Sequence, residues 1–228
     1  MKSTIKIDIV SDVVCPWCYI GKRRLEKAME KLSDSYDFDV TYHPFELNPN
    51  TSSSGVDQKE YLVNKFGSEE RYNELTSRVT DVAALDGIEM NYAAQTISPN
   101  TRRLHSLIRF AGTKGLDRAL AEVLFNAYFT SGIDLSKEEN ILKAALEAGL
   151  DEDDAKAILN SEDEQNQTAI EEQRIYEMGI TGVPFFIINE KYGISGAQSA
   201  ETFEQAFLEI GRESLPKGEA CDTDKKNC

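Results

Sequence analysis

A short strand-like segment near the start of the chain runs into two cysteines that are separated by two residues. Residues 5–10 alternate apolar and polar side chains and are rich in isoleucine, which predicts a strand. Cys15 follows after a short turn, and Pro16 suits the first position of a helix because the N–H that proline lacks would be unpaired there. Apolar residues continue at helical spacing to Leu32. Few folds have a strand, a Cys-x-x-Cys motif and a helix in this order.

Strand-like sequence occurs only towards the two ends of the chain. Residues 38–42 form a second alternating run, so residues 5–44 are predicted to form a βαβ unit with parallel strands. From residue 56 the pattern is helical for more than a hundred residues, and a strand-like segment returns at residues 184–189. An α/β fold interrupted by a helical insertion explains this order better than two successive domains.

The predicted domains follow these changes of pattern. Residues 1–50 and 179–212 form one discontinuous α/β domain, and residues 56–178 form a large all-helical insertion. Residues 213–228 are polar, contain Pro and Gly, and are predicted to be a flexible C-terminal tail with a second cysteine pair. A length of 228 residues suits one domain with an insertion as well as two small domains. The strand-like segments at both ends favour one domain with an insertion.

The chain is acidic, with 25 Lys and Arg against 40 Asp and Glu, a net charge of −15. Such a surface repels the phosphates of nucleic acids and of anionic membranes, so neither is expected as a main partner. A content of 40% hydrophobic and 29% charged residues is typical of a globular protein. The sequence shows neither a membrane-spanning stretch nor a signal peptide. We therefore expect a cytoplasmic protein whose cysteines are reduced at rest.

The position of Cys15 at the start of the predicted helix favours its reactivity. N–H groups at a helix N-terminus and the helix dipole both favour a thiolate. Cys15 is predicted to be the exposed nucleophile that attacks a substrate disulfide, and Cys18 to resolve the mixed disulfide. Half of a zinc site and two inert core cysteines are the alternatives. Zinc needs four ligands, and the only other candidates are two histidines and a distant cysteine pair, so no metal is expected.

A second signal stands immediately before the late strand, in the sequence GITGVP that ends at Pro184. Proline cannot donate a hydrogen bond to a strand ladder, so it is tolerated at the first residue of a strand. X-Pro bonds are cis in only about 5% of cases, so this motif alone is most simply an ordinary trans proline.

Together, the Cys-x-x-Cys motif at a strand–helix junction and the Gly-Val-Pro sequence resemble the thioredoxin fold, in which a cis-proline loop lies against the catalytic cysteines. The helical insertion resembles that of the DsbA family, and the sequences SDVVCPWCYIGKRRLE, PFELNP, PNTRRLH and GITGVPFFIIN resemble its FrnE-like branch. The resemblance implies a thioredoxin-like fold with a large all-helical insertion, and a dithiol–disulfide oxidoreductase with Cys15 and Cys18 as catalytic residues. It also implies a cis bond between Val183 and Pro184 that offers its backbone to an extended substrate.

Trp17 departs from the best-known DsbA motif, Cys-Pro-His-Cys. Without an imidazolium beside it, the Cys15 thiolate is expected to be stabilised less, which predicts a milder oxidant. Pro16 and Trp17 are predicted to support the site, and no bound cofactor is expected beyond the redox-active disulfide itself. The expected partners are protein or small-molecule thiols and disulfides and an unidentified recycling partner, with glutathione open as a co-substrate.

Two other residues are weaker candidates. Asp12 lies just before the motif, and a carboxylate there could accept the proton of Cys18 during resolution. A capping or solvated role is favoured for Asp12, and a catalytic role for Asp8 is favoured still less. His105 lies at the edge of an apolar helix face and is predicted to be a hydrogen-bonded boundary residue, with a role in the site as the alternative.

Cys221 and Cys228 form the second pair. A segment of about 18 residues at ~3.4 Å per residue reaches about 60 Å, so the tail could contact the first pair. A second redox pair that exchanges disulfides with Cys15 is one hypothesis. A tail disulfide or surface thiols without function is the favoured one, because a solvated tail supplies nothing that stabilises a thiolate.

Two other functions stay open. The 2-hydroxychromene-2-carboxylate isomerases and kappa-class glutathione transferases resemble this fold and insertion, typically carry Ser at the position of Cys15, and use bound glutathione. The presence of both Cys15 and Cys18 argues against them, although a small-molecule substrate remains open. The third hypothesis is a non-catalytic, thiol-dependent binding module, which would tolerate Cys15→Ser.

Overall fold

The structure of the protein is a computed structural model that describes residues 2–213. Strand β1 (Ser3–Ser11) leads into helix α1 (Pro16–Lys31) and strand β2 (Tyr36–Pro44). The two strands are parallel. The predicted βαβ unit is therefore confirmed, and Pro16 occupies the first turn of α1, where its missing N–H costs nothing.

The chain then leaves the sheet for a long, mostly helical stretch. In chain order its elements are β3 (Val56–Asp57), α2 (Gln58–Phe66), α3 (Glu69–Leu85), β4 (Ile97–Ser98), α4 (Arg102–Gly112), α5 (Asp117–Phe125), a π-helix (Asn126–Thr130), α6 (Glu138–Glu147), α7 (Glu152–Leu159) and α8 (Glu162–Glu177). The chain returns to the sheet with β5 (Phe185–Ile188) and β6 (Tyr192–Ser195) and closes with α9 (Ala200–Glu213). A helical insertion between two halves of one sheet is the predicted arrangement. The insertion is not all-helical as predicted, because β3 and β4 form a short antiparallel ladder within it. The predicted domain boundaries stay a prediction.

The four-stranded sheet has the order β2-β1-β5-β6. Strand β5 runs antiparallel to both β1 and β6, so the sheet is mixed. Helices α1 and α9 pack against each other, and α4, α5 and α8 all contact β2. The central position of β1 therefore places the turn at its end, residues 12–15, between the sheet and the helical stretch.

Helix α1 is fixed to the helical stretch by aromatic and charged contacts. The ring of Tyr19 stacks on Phe125 with the centroids 5.0 Å apart, and burial of such rings contributes about 1.5–3 kcal/mol each. The ammonium group of Lys22 is buried and lies 2.6 Å from a carboxylate oxygen of Glu122 on α5. These contacts hold the start of α1 at a fixed place beside the inserted helices. Within residues 2–213, no helix combines the length and the apolar character that crossing a lipid bilayer takes.

Candidate active site

Cys15 is the N-cap residue of α1, with an extended backbone. Its N–H donates to the carbonyl of Asp12 at 3.0 Å, and its own carbonyl accepts from the N–H of Cys18 at 3.0 Å. These bonds close a tight turn at the end of β1. The first turn of α1 contains no acidic residue that would offset the positive end of the helix dipole at Cys15.

A segment far along the chain lies against the Cys15 sulfur. The bond between Val183 and Pro184 is cis, and the Cys15 Sγ lies 3.8 Å from the carbonyl oxygen of Val183. Gly21 in α1 allows this approach, because a Cβ atom there would lie 3.2 Å from Cγ of Pro184 and 3.1 Å from Cζ of Phe186. The sequence analysis missed Gly21, which carries no signal of its own in the middle of a helix.

The two thiols differ in their surroundings. Both are free, Cys15 is 4% exposed and Cys18 is 2% exposed. Burial, and then the neighbouring Cys15, raise the pKa of Cys18 well above its ordinary value, against the lowering effect of bonds from the Asp12 backbone and the Ser11 side chain. The prediction that Cys15 is exposed is wrong, because the loop at Val183 covers it from 168 residues along the chain.

Cys15 nevertheless opens onto a cavity of about 550 Å³. On one side the wall consists of the cysteine motif and the proline loop, with Asp12, Pro16, Trp17 and Val183. On the other side it consists of residues from the helical stretch, among them Gln58, Tyr61, Phe66, Val79, Tyr92, Gln95, Tyr128 and Phe129. Cys18 does not line this cavity. A molecule in the cavity therefore meets the sulfur of Cys15 and not that of Cys18.

Two tyrosines of this cavity are functional candidates that the sequence analysis missed. Burial raises the pKa of Tyr92, with further effects from Tyr128 and Cys15. Burial also raises the pKa of Tyr128, which lies in the π-helix, against a lowering bond from Ser98. Both phenols stay neutral near pH 7. Neither stood out in the sequence, because aromatic residues at helical spacing look the same in a core and in a cavity wall.

Behind the cysteine turn lies a buried charge cluster, which we define as Asp12, Glu46, Arg102, His105 and Glu172. The carboxylate of Asp12 is fully buried, accepts from the N–H of Leu47 at 2.7 Å and lies 3.3 Å from Nε2 of His105. Asp12 is thus neither the solvated nor the helix-capping residue that the sequence favoured. His105 is hydrogen-bonded as predicted, but it is buried and not a boundary residue, with only 4% of its surface exposed.

The rest of the cluster is held by one guanidinium. Arg102 forms ion pairs with Glu46 and, at 3.7 Å, with Glu172. Burial raises the pKa of Glu46 to about 7 against the opposing effect of Arg102. The N–H of Glu46 donates to Glu172 on α8 at 2.5 Å. The sequences PFELNP and PNTRRLH, far apart along the chain, therefore meet behind the Cys-x-x-Cys motif.

The other predicted residues lie elsewhere. Asp8 accepts from His43 at 2.9 Å and does not line the cavity. Trp17 is 36% exposed at the cavity rim. Cys221 and Cys228 lie outside the described residues. Among residues 2–213, no group of three or more His, Cys, Asp or Glu side chains is placed to hold a metal ion.

Comparison with known proteins identifies the family to which the chain belongs. Residues 6–208 match the family model described as DSBA-like thioredoxin domain. A probable DsbA oxidoreductase from Streptomyces coelicolor has a solved structure that matches with a TM-score of 0.84 at 30% identity, covering 96% of this chain and 97% of that one. The uncharacterized protein YwbO of Bacillus subtilis is 29% identical over 205 residues, which are 90% of this chain and 96% of YwbO.

A more distant structure shares the fold. The cytosolic disulfide reductase DsbM from Pseudomonas aeruginosa, solved with GSH, matches with a TM-score of 0.62 at 17% identity, covering 91% of this chain and 99% of that one. The predicted DsbA-type relationship and the thioredoxin-like α/β fold with a helical insertion are confirmed by these matches.

Proposed function

Because the chain belongs to the DSBA-like thioredoxin domain family, we propose that it is a thiol–disulfide oxidoreductase that works through Cys15 and Cys18. The observation that carries the proposal is the difference in access between the two sulfurs. Cys15 caps a helix N-terminus and opens onto the 550 Å³ cavity, whereas Cys18 is buried behind it. A nucleophile that a substrate can reach and a second thiol that it cannot reach are the two parts that a mixed-disulfide mechanism needs.

The proposed reaction has two exchanges. The Cys15 thiolate attacks one sulfur of a substrate disulfide, the substrate S–S bond breaks, and the other sulfur leaves as a thiolate. Cys18 then loses its proton and attacks the Cys15 sulfur, which releases the second substrate thiolate and forms the Cys15–Cys18 disulfide. Two electrons pass from the protein to the substrate. The reverse sequence oxidises a substrate dithiol by the same steps.

Asp12 belongs to this proposal as the group that accepts the Cys18 proton. Burial raises the pKa of Cys18, so resolution needs a base. Asp12 is fully buried, lines the cavity, and places its backbone in hydrogen-bond contact with the Cys18 sulfur. Asp12→Asn should slow the resolving step and shift its pH profile to higher pH, while attack by Cys15 keeps its rate. Equal profiles for variant and wild type would remove Asp12 from the mechanism.

The proposed substrates are protein or small-molecule thiols and disulfides, and a further redox partner restores the dithiol. Glutathione is proposed as a co-substrate, a role supported by the structure of the cytosolic reductase DsbM with GSH. That protein also supports a cytoplasmic location here. Nucleic acids and membranes are not proposed as partners, because the net charge is −15.

A redox titration tests the proposal directly. Trp17 is the only tryptophan of the chain and lies between the two cysteines, so its fluorescence reports their oxidation state. In a Cys221→Ser/Cys228→Ser background, titration with a glutathione buffer should give one two-electron transition and a Cys15–Cys18 disulfide in peptide mass mapping. The matched Cys18→Ser variant should show no such disulfide. If the Cys221→Ser/Cys228→Ser chain shows neither the fluorescence transition nor the Cys15–Cys18 disulfide, the proposed oxidoreductase chemistry is rejected.

The large cavity favours a second candidate, a glutathione-dependent isomerase or transferase with a small-molecule substrate. A volume of about 550 Å³ is in the range of small-molecule sites. Such chemistry needs no second thiol, so activity that survives in Cys18→Ser would favour it. Binding that survives in Cys15→Ser, without turnover in any variant, would favour a non-catalytic binding module.

A further inference from the structure

Two glutamine side chains in the cavity wall are not fully hydrogen-bonded. Gln58 opens α2 and is 1% exposed, and Gln95 precedes β4 and is 5% exposed. The amide Nε2 of Gln58 donates to Oε1 of Gln95 at 3.3 Å. Oε1 of Gln58 and Nε2 of Gln95 have no partner within the described part of the chain. A buried amide atom without a partner is unfavourable, so these two atoms suit a group that enters from outside the chain.

The pair offers the same chemistry whichever way the two amides are turned. If both carboxamides are flipped, one hydrogen bond still joins them, and one acceptor and one donor still remain. The Asp12 carboxylate and the Thr76 hydroxyl, which also line the cavity, are already bonded within the protein. The unused polar capacity of Gln58 and Gln95 is therefore one acceptor and one donor without a net charge.

We propose that Gln58 and Gln95 form a subsite that binds the backbone of an extended peptide disulfide, through the N–H and the C=O of one residue. In an extended chain the N–H and C=O of one residue point to the same side, which is how strands pair. The substrate N–H donates to the glutamine oxygen, and its C=O accepts from the glutamine NH₂. This inference rests on the proposed function and names its substrate class: an extended peptide segment that carries a disulfide next to Cys15.

The surroundings fit a peptide with apolar side chains, although Lys65 and Arg78 also line the cavity. Leu62, Phe66, Val79 and Phe129 line the same cavity and can accept apolar side chains. The two glutamines supply main-chain recognition without regard to side-chain identity. The subsite therefore predicts broad sequence tolerance together with a preference for a peptide N–H at one position.

The test uses the full chain and a capped alanine-flanked cysteine peptide, presented as its symmetrical disulfide. Each peptide bond is replaced in turn by an ester, which removes one N–H and keeps the shape. In the wild type, one ester should lower kcat/KM about tenfold, equal to about 1.4 kcal/mol, and the others should have small effects. In Gln58→Met/Gln95→Met this loss should disappear, while the small effects of the other esters should remain.

The double variant removes both amides together, so neither side chain leaves the other without a partner, and its stability should equal or exceed that of the wild type. Gln173→Met, which changes an exposed glutamine of α8, is the matched control and should keep the wild-type ester profile. A flat ester profile in the wild type overturns the inference, and so does a loss that persists in the double variant. Turnover of small disulfides without turnover of peptides also overturns it. Absence of turnover with any disulfide rejects the proposed function itself, and the subsite with it.

Discussion

The two sides of the cysteine turn have opposite chemistry. In front of Cys15 lies the cavity, with walls that are mainly aromatic and aliphatic and with neutral glutamines as its partly unbonded buried groups. Behind the turn lies the buried charge cluster, in which Asp12 and Glu46 face His105 and Arg102. Of the charge cluster only Asp12 lines the cavity, so the ion pairs of Arg102 are separated from substrate contact. A thiolate formed at Cys15 faces a mainly apolar wall and the helix N-terminus, while Glu46 and Glu172 are held behind the backbone turn.

The largest expected effect is on the cavity side. Cys15→Ser removes the sulfur that a substrate can reach and should reduce disulfide turnover roughly 10³-fold or more. The matched Cys18→Ser variant keeps that sulfur and should accumulate a mixed disulfide, visible as a mass increase. If the mixed disulfide instead accumulated on Cys18 in Cys15→Ser, the assignment of front and back would be reversed.

A substitution of Arg102 should destabilise the buried charge cluster behind the turn. Arg102→Met leaves Glu46 and Glu172 buried without their cation, and the loss of one partner of a buried pair costs about 3 kcal/mol or more. Urea unfolding at pH 8 should show this decrease in the free energy of unfolding. The decrease should become smaller below pH 7, because burial raises the pKa of Glu46 to about 7 and a protonated carboxyl needs no cation.

An exposed ion pair is the control for this variant. Arg71 pairs with Glu74 on the surface of α3, and Arg71→Met should change the free energy of unfolding by less than about 1 kcal/mol. Similar losses in both arginine variants would mean that the cluster behind the turn is not held together by buried charge.

The sequence predicted the Cys-x-x-Cys motif and Pro184 better than the helical wall of the cavity or the charge cluster behind the turn. The strand, Pro16 and the helix follow from local patterns, and the resemblance pointed to Pro184. Asp12 and His105 were named because they stand close to recognisable motifs. The glutamines and tyrosines of the cavity were missed, because their helices show only core-like periodicity and the cavity depends on how those helices pack. The burial of Cys15 could not be predicted either, because its cover comes from 168 residues along the chain.

A smaller effect is expected at His43 on β2, which lies between Asp8 and Glu171. Bonds to these two carboxylates raise the pKa of His43 to about 9 in spite of its burial. A histidine with a raised pKa stabilises the fold fully below about pH 6.5, and this stabilisation is lost as the pH rises through 9. Unfolding free energy should therefore fall by about 2 kcal/mol between pH 6.5 and 9.5. His43→Gln should remove this slope and Arg71→Met should keep it; an unchanged slope in His43→Gln would assign it to other groups.

The smallest expected effect tests the close contact between α1 and the proline loop beside Cys15. Gly21→Ala places a Cβ atom 3.2 Å from Pro184 and 3.1 Å from Phe186, so the proline loop must shift by a few tenths of an ångström. Overpacking costs about 1–3 kcal/mol, and the gain in helix propensity of about 1 kcal/mol offsets part of it. Gly112→Ala, in α4, meets no atom closer than 3.8 Å and should be neutral or stabilising. Gly21→Ala should therefore lose about 1 kcal/mol of stability relative to Gly112→Ala and lower kcat/KM several-fold, because the Val183 carbonyl moves relative to the Cys15 sulfur. If the two variants behave alike, the close contact between α1 and the proline loop does not set the geometry around Cys15.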